Sequence, residues 1–287
     1  MELSKPITRR PLLSYFVLVF LVAWGAVVLV VGPTGITGGR SPENWQLLPV
    51  FGAMLLGPAV AGLFLIAVTD GRAGLRDLWR QQRHWKVDIR WYAVALLTTP
   101  VLLLGILGLL SLVSSSFVPS VLATDDVLGV VAFGLVYGLF AGFFEEIGWT
   151  GFALPRLRHR YSLLAAGLLL GIVWGVWHGL ADYGGTHAEF GALWLPRIAL
   201  WTAALTAYRV LIGWVYENTG SLLVAQFMHA SFTGSQGLLV PVLSPTDHFL
   251  WYGSFTVALW VIVAVLASRI RNRGTGEEAA GARSTTG

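Results

Sequence analysis

The 287-residue chain is 55% hydrophobic and 12% charged, against roughly 45–50% and 25% in soluble domains, which excludes a water-soluble globular protein and makes it a polytopic membrane protein. It has no cysteine, so disulfides, thiolate metal sites and cysteine nucleophiles are excluded, and any chemistry falls to carboxylates, imidazoles and hydroxyls. The net charge of +4 implies no nucleic-acid partner, because the basic residues lie in short clusters between apolar runs, the pattern that sets membrane topology.

Apolar stretches of bilayer-spanning length, about 20 residues, follow one another along the chain. The first, Pro11 to Val31, is too long for the apolar region of a signal peptide and lacks an A-x-A site, so it is expected to be a retained span. A second covers Leu47 to Thr69. The segment "GLRDLWRQQRHWKVDIR" then has the character of an interfacial amphipathic helix or loop anchored by Trp79, Trp85 and Trp91. Spans at Trp91 to Val113, Val127 to Gly142 and beyond, Leu163 to Ala181, Pro196 to Tyr216, Leu222 to Val242 and Phe249 to Ala267 complete the set. Turn-rich segments such as "GPTGITGG", "SSSFVPS" and "LSPTDH" separate them. The expected fold is an all-α membrane bundle of about eight transmembrane helices, one domain over residues 1–273. Residues 274–287 carry too little apolar surface to fold and are expected to be disordered.

Eight spans place both termini on one side of the membrane. That side receives 16 of the 19 lysines and arginines, leaving Arg40 and Arg197 opposite and Arg209 within the sixth span. The bias makes the terminal side cytoplasmic. The protein is thus expected to be a multi-pass protein of the cell membrane, with the bilayer itself as a partner.

Glycines recur at every fourth position, Gly134, Gly138 and Gly142 in the fourth span and Gly167, Gly171, Gly175 and Gly179 in the fifth. That spacing keeps them on one helix face, where the missing side chains let helices approach closely. Glu146 continues the first stripe and His178 adjoins the second, so polar groups sit beside close helix contacts.

Glu145 and Glu146 demand a reason, since an ionisable group near the bilayer centre costs about 2.5–3.5 kcal/mol or more. Counted back from Arg156, Glu145 lies about 16 Å deep by helical rise, half of a roughly 30 Å core. His229, eleven residues past Asn218, reaches the same depth. His178 does not: eighteen residues past Arg160 is about 27 Å of helix, so either residues 157–165 run along the surface or the fifth span is strongly tilted. A glutamate and a histidine facing one water supply a general base and an orienting partner. His229 and Thr233 share a helix face at i and i+4 and are placed to donate to a developing oxyanion. Glu145, His178 and His229 are equally a His2Glu ligand set if a zinc is present, so metal-free and zinc-assisted hydrolysis both stand open. A zincin H-E-x-x-H helix and a G-x-S-x-G serine elbow are both absent from the chain.

With these residues in place, the stretch Val127 to Thr233 resembles the CPBP intramembrane proteases, which comprise type II CAAX prenyl endopeptidases and the bacteriocin-processing and self-immunity (Abi) proteins. "FFEEIGWTGFALPRL" is similar to the family's E-E-x-x-x-R motif, "WGVWH" to F-x-x-x-H, and "HASFT" to H-x-x-x-N/D. The resemblance implies a helical bundle with a polar cavity within the membrane, open to the cytosol. It further implies Glu145 as general base, His178 holding the water, Glu146 as a structural or auxiliary carboxylate and His229 as an oxyanion-side donor. Peptide or protein substrates at the membrane follow, lipidated or not, and family membership leaves a metal requirement open. Thr150, Trp174 and Thr233 stand where the family has Arg, Phe and Asn or Asp. Arg209, about 13 Å deep, is a candidate to supply Glu146 with the cation lost at Thr150; snorkelling or pairing with Glu217 are its other options. The alternative to an intramembrane endopeptidase is a non-catalytic immunity or scaffold protein that kept the fold.

Overall fold

In the computed structural model, residues 8–33, 36 and 44–284 are described, with side chains in the last helix as far as Arg269. Among them there is no strand, and eight helices have 18 residues or more. They are α1 (Pro11–Val31), α2 (Asn44–Thr69), α4 (Ile89–Ser111), α5 (Val127–Gly148), α7 (Leu163–Phe190), α8 (Trp194–Thr219), α9 (Leu222–Leu239) and α10 (Pro245–Ser284). Two short helices, α3 (Gly71–Gln82) and α6 (Leu154–Arg158), lie between them.

Among the described residues, six stretches are long and apolar enough to cross a membrane: Pro11–Val31, Leu48–Thr69, Ile89–Ser111, Val127–Arg158, Leu163–Thr219 and Pro245–Arg269. The fifth runs through both α7 and α8. Helix α9 falls outside the six, since Gln226, His229, Ser231, Thr233, Ser235 and Gln236 dilute its apolar content. The expected bundle of about eight helices is therefore present, and its most polar member carries site candidates.

Local chemistry sets the helix starts. Asp88, Asp126, Ser162 and Ser221 each accept a backbone N–H of the first turn of α4, α5, α7 and α9, satisfying donors that a helix leaves unpaired. Gly220 ends α8 in the left-handed conformation, φ 61°, which glycine adopts without a Cβ penalty. The tail expected to be disordered continues α10 as far as Ser284, in keeping with the helix-forming Glu277, Glu278, Ala279 and Ala280; residues 285–287 lie outside the described residues.

The glycine stripes set the packing. Helices α5 and α9 run antiparallel, with Gly134 against Gly234 and Leu238 and Gly142 against Gln226 and Ala230. A methyl group at Gly142 would fall 2.6 Å from the Ala230 backbone nitrogen, so only glycine permits this approach. Helices α7 and α8 repeat the arrangement through Gly167, Gly171 and Gly175 against Val210, Thr206 and Thr202. Gly179, assigned to the same stripe from its spacing, has no atom within 4 Å of where a methyl group would sit and takes no part. Its neighbours His178, Ala181 and Asp182 line a cavity instead.

The bundle has two unlike ends. At the arginine end, Arg156 bridges to Asp70 at 2.5 Å and to Thr69 at 3.0 Å, Arg158 pairs with Glu217, and Ser221 Oγ donates to the His84 carbonyl at 2.5 Å. At the aspartate end, Arg197 pairs with Asp182 at 2.5 Å, Ser120 Oγ donates to the Val240 carbonyl at 2.7 Å, and Ser116 Oγ donates to Asp247 at 3.3 Å. The amphipathic segment expected to be anchored by Trp79, Trp85 and Trp91 comprises most of α3, which buries only Leu78 and lies at the arginine end, the connection 83–88 and the start of α4; Trp79 and Trp85 are exposed, whereas Trp91 is buried within the bundle.

Candidate active site

The two adjacent glutamates serve different surroundings because successive residues of an α-helix diverge by about 100°. Glu145 lines a cavity of about 510 Å³, together with His178, His229 and Thr233. Glu146 lies under that cavity and is fully buried.

Below the cavity, Glu146 is saturated with donors. Arg209 Nη1 and Nη2 donate to its two oxygens at 2.8 and 2.7 Å, the forked geometry that makes guanidinium–carboxylate pairs strong. The Thr150 hydroxyl also donates to it, and His229 Nδ1 lies 2.7 Å from Oε1. Arg209 in turn lies over the Trp174 ring, 4.3 Å from its centre. Burial of this pair is tolerable only because nearly every lone pair is met. Of the options for Arg209 the structure selects the pairing with Glu146, since Glu217 is engaged by Arg158. The cation missing at Thr150 thus arrives from α8, and Thr150, 3.4 Å from Arg209 Nη1, adds a hydroxyl to the same carboxylate.

Within the cavity, Glu145 Oε2 accepts the indole N–H of Trp174 at 2.9 Å and of Trp149 at 3.3 Å. Trp149 and Thr150 open a π-helical turn, Trp149–Ala153, that follows α5 directly; such turns recur at functional sites. His178 Nδ1 lies 2.8 Å from the Trp174 carbonyl. A carbonyl only accepts, so Nδ1 carries the proton and Nε2 is the free nitrogen. By the same reasoning His229 gives Nδ1–H to Glu146, and Nε2 remains for the cavity. His178 is the sixteenth residue of a 28-residue helix. The chain turns at 159–162 before α7 begins, and α7 continues to Phe190 rather than ending near Ala181, so His178 sits near the middle of its helix and not near one face.

Sequence reasoning missed part of this set. Trp174, read as an aromatic wall in place of Phe, brings an N–H to Glu145 that Phe lacks; the clue was its position four residues before His178. Trp149, one turn after Glu145, carries the same clue. Asp182, one turn beyond His178, also lines the cavity, as do Tyr137 and Gln236.

A zinc site of the His2Glu kind requires three ligands converging at about 2.0–2.2 Å from one point. Among the described residues no three His, Asp or Glu side chains are gathered closely enough to hold a metal ion. The arrangement of Glu145, His178 and His229 therefore does not fit a resident zinc.

The helical bundle thus brings one carboxylate and two imidazoles, Glu145, His178 and His229, to the wall of one cavity. Residues 127–235 match the family model of the type II CAAX prenyl endopeptidases, Rce1-like, the family that the motifs resemble. A stretch of 40 residues is 52% identical to CAAX prenyl protease 2 of Methanococcus maripaludis, covering 14% of this chain and 15% of that relative.

Proposed function

We propose that the protein is an intramembrane endopeptidase of the CAAX-protease type, hydrolysing a peptide bond with a water activated by Glu145. The observation that carries this reading is the convergence of Glu145, His178 and His229 on one cavity, with His229 anchored from beneath by Glu146. Glu145 has one oxygen held by two indoles, so Oε1 is free to take a proton from water. His178 Nε2 accepts a hydrogen bond from the O–H that stays on the attacking oxygen and aims that oxygen at the substrate carbonyl. As that carbon becomes tetrahedral, the Thr233 hydroxyl donates to the oxyanion, and His229, its ring held by Glu146, flanks it. The proton on Glu145 then passes to the amine as the C–N bond breaks, restoring the carboxylate and releasing a carboxylic acid and an amine. No step requires a metal.

The test is cleavage by the purified full chain in lipid, with a quenched peptide series that includes a prenylated CAAX C-terminus, the substrate named for the archaeal relative. Glu145→Gln and His178→Ala should each lower kcat by about 10²–10⁴, and His229→Ala by about 10²–10³. Wild-type turnover should survive exhaustive chelation. Equal turnover in all variants would leave the non-catalytic scaffold reading in its place.

A further inference from the structure

At the arginine end, a groove of about 390 Å³ lies between α4, α8 and α10, and none of its lining residues borders the cavity of Glu145. Its rim is polar, formed by Arg90 near the start of α4, Asn218 in the last turn of α8 and Arg269 in α10. Its walls are apolar. Val94 continues the groove one turn past Arg90, and Leu211 and Ile262 lie seven residues before Asn218 and Arg269. By helical rise the groove therefore descends about 6 Å along α4 and about 10 Å along α8 and α10 from its charged rim. Trp91 and Trp214 also line it, ring against ring at 5.0 Å between centres and edge to face. All three helices belong to stretches long and apolar enough to cross a membrane.

The rim cations are open to a ligand. Among the described residues Arg269 pairs with no carboxylate. Arg90 Nε stands 3.5 Å from Asp88 with both side chains more than half exposed, a contact that holds its partners weakly. The other oxygen of Asp88 caps α4 by accepting the Arg90 backbone N–H. Asn218 Nδ2 donates to the Trp214 carbonyl at 2.8 Å, so its Oδ1 is left at the rim as an acceptor. Guanidinium groups match phosphate oxygens in charge and geometry, and a basic pocket between membrane-spanning helices is the arrangement that takes anionic lipid headgroups. A free phosphate has no use for the aliphatic walls, and these walls lie at the depth where acyl chains begin.

We infer that this groove binds an anionic phospholipid with a hydroxylated headgroup, of the phosphatidylglycerol kind. Arg90 and Arg269 take the phosphate, Asn218 Oδ1 accepts a headgroup hydroxyl, and the upper part of an acyl chain lies along Val94, Leu211 and Ile262. The lipid ties α10 to α4 and α8. Because α8 also carries Arg209 to Glu146, the site braces the helix that supports the floor of the candidate active site. The lipid site itself does not rest on the hydrolase reading.

The test uses the purified full chain in detergent, with bound lipid counted by native mass spectrometry and thermal unfolding recorded alongside. Phosphatidylglycerol should be retained and should raise the unfolding temperature. Phosphatidylcholine, whose choline cancels the phosphate charge, and glycerol 3-phosphate, which has no acyl chain, should do neither at the same concentration. Replacing both rim cations, Arg90→Gln with Arg269→Gln, should weaken phosphatidylglycerol binding about 30-fold. Arg72→Gln with Arg76→Gln removes the same charge from the same end outside the groove and should change it little. Val265→Trp, at a lining position 46% exposed, fills the groove with its charges intact and should abolish retention. All five positions are exposed, so each variant should unfold near the parent's temperature when lipid is absent. No retention by the parent, equal retention of phosphatidylcholine, equal loss in the two arginine pairs, or unchanged retention in Val265→Trp overturns the site. Glycerol 3-phosphate binding as tightly as the lipid overturns the lipid assignment. Phosphatidylethanol, equally anionic but without headgroup hydroxyls, should bind the parent more weakly than phosphatidylglycerol and Asn218→Leu equally; equal binding to the parent overturns the headgroup assignment.

Discussion

Helix α8 contributes two buried arginines, and their carboxylate partners show how one device serves two ends of a bundle. Arg209 meets Glu146 beneath the cavity, with both side chains fully buried, and the carboxylate is shared with His229 and Thr150. Arg197 meets Asp182 on the cavity wall, with both side chains 6% exposed, alongside Thr186 and Trp194. The first pair fixes the ring of a candidate catalytic histidine; the second ties α7 to α8 where their glycine contact has ended. Depth and connection to His229 separate them, and the difference is open to measurement.

The largest effect is expected from Arg209→Met, which leaves Glu146 charged and unpaired within the bundle. Loss of one partner from a buried pair costs about 3–5 kcal/mol, read as lost thermal stability of the detergent-solubilised chain. Adding Glu146→Gln to it should recover much of that stability while turnover stays low, because His229 then lacks its anionic anchor. Recovery of turnover in the double variant would reduce the floor pair to a packing role. Arg197→Met should cost less, about 1.5–3 kcal/mol for the lost hydrogen bonds to a charged group, with kcat retained under conditions where the protein stays folded. Equal loss of turnover in the Arg197 and Arg209 variants would erase the distinction between the two pairs.

Smaller effects test the packing that holds the two pairs apart. Gly142→Ala drives a methyl into the backbone of α9 next to Ala230 and should destabilise by about 1–3 kcal/mol. Gly179→Ala meets no neighbouring atom and should stay within about 0.5 kcal/mol of the parent. Thermal unfolding of both variants in the same detergent checks the contrast.

Helix count and position were legible in the sequence because crossing a bilayer requires about 20 apolar residues in a run, and a run starting at Pro11 and ending at Val31 is the same in letters and in space. The glycine spacing similarly announced which faces of α5 and α7 meet a helix closely, since a period of four is a helix face, but the partners α9 and α8 came from the fold. The functional partners of Glu145 were legible only as types. Trp149 and Trp174 are unremarkable aromatics in an aromatic-rich chain until the fold brings both indole N–H groups to one carboxylate oxygen.

The sequence alone determined that the protein is an all-helical membrane bundle, which residues are expensive to bury, and where its basic charge lies, because hydropathy and charge are additive along a chain. Tertiary structure decided which carboxylate faces the cavity, which nitrogen of His178 is free, and that Arg209 from α8 answers Thr150 on the turn after α5. Those are relations between helices, set by the rotation and depth at which each packs on its neighbours, and no single segment of the chain encodes them.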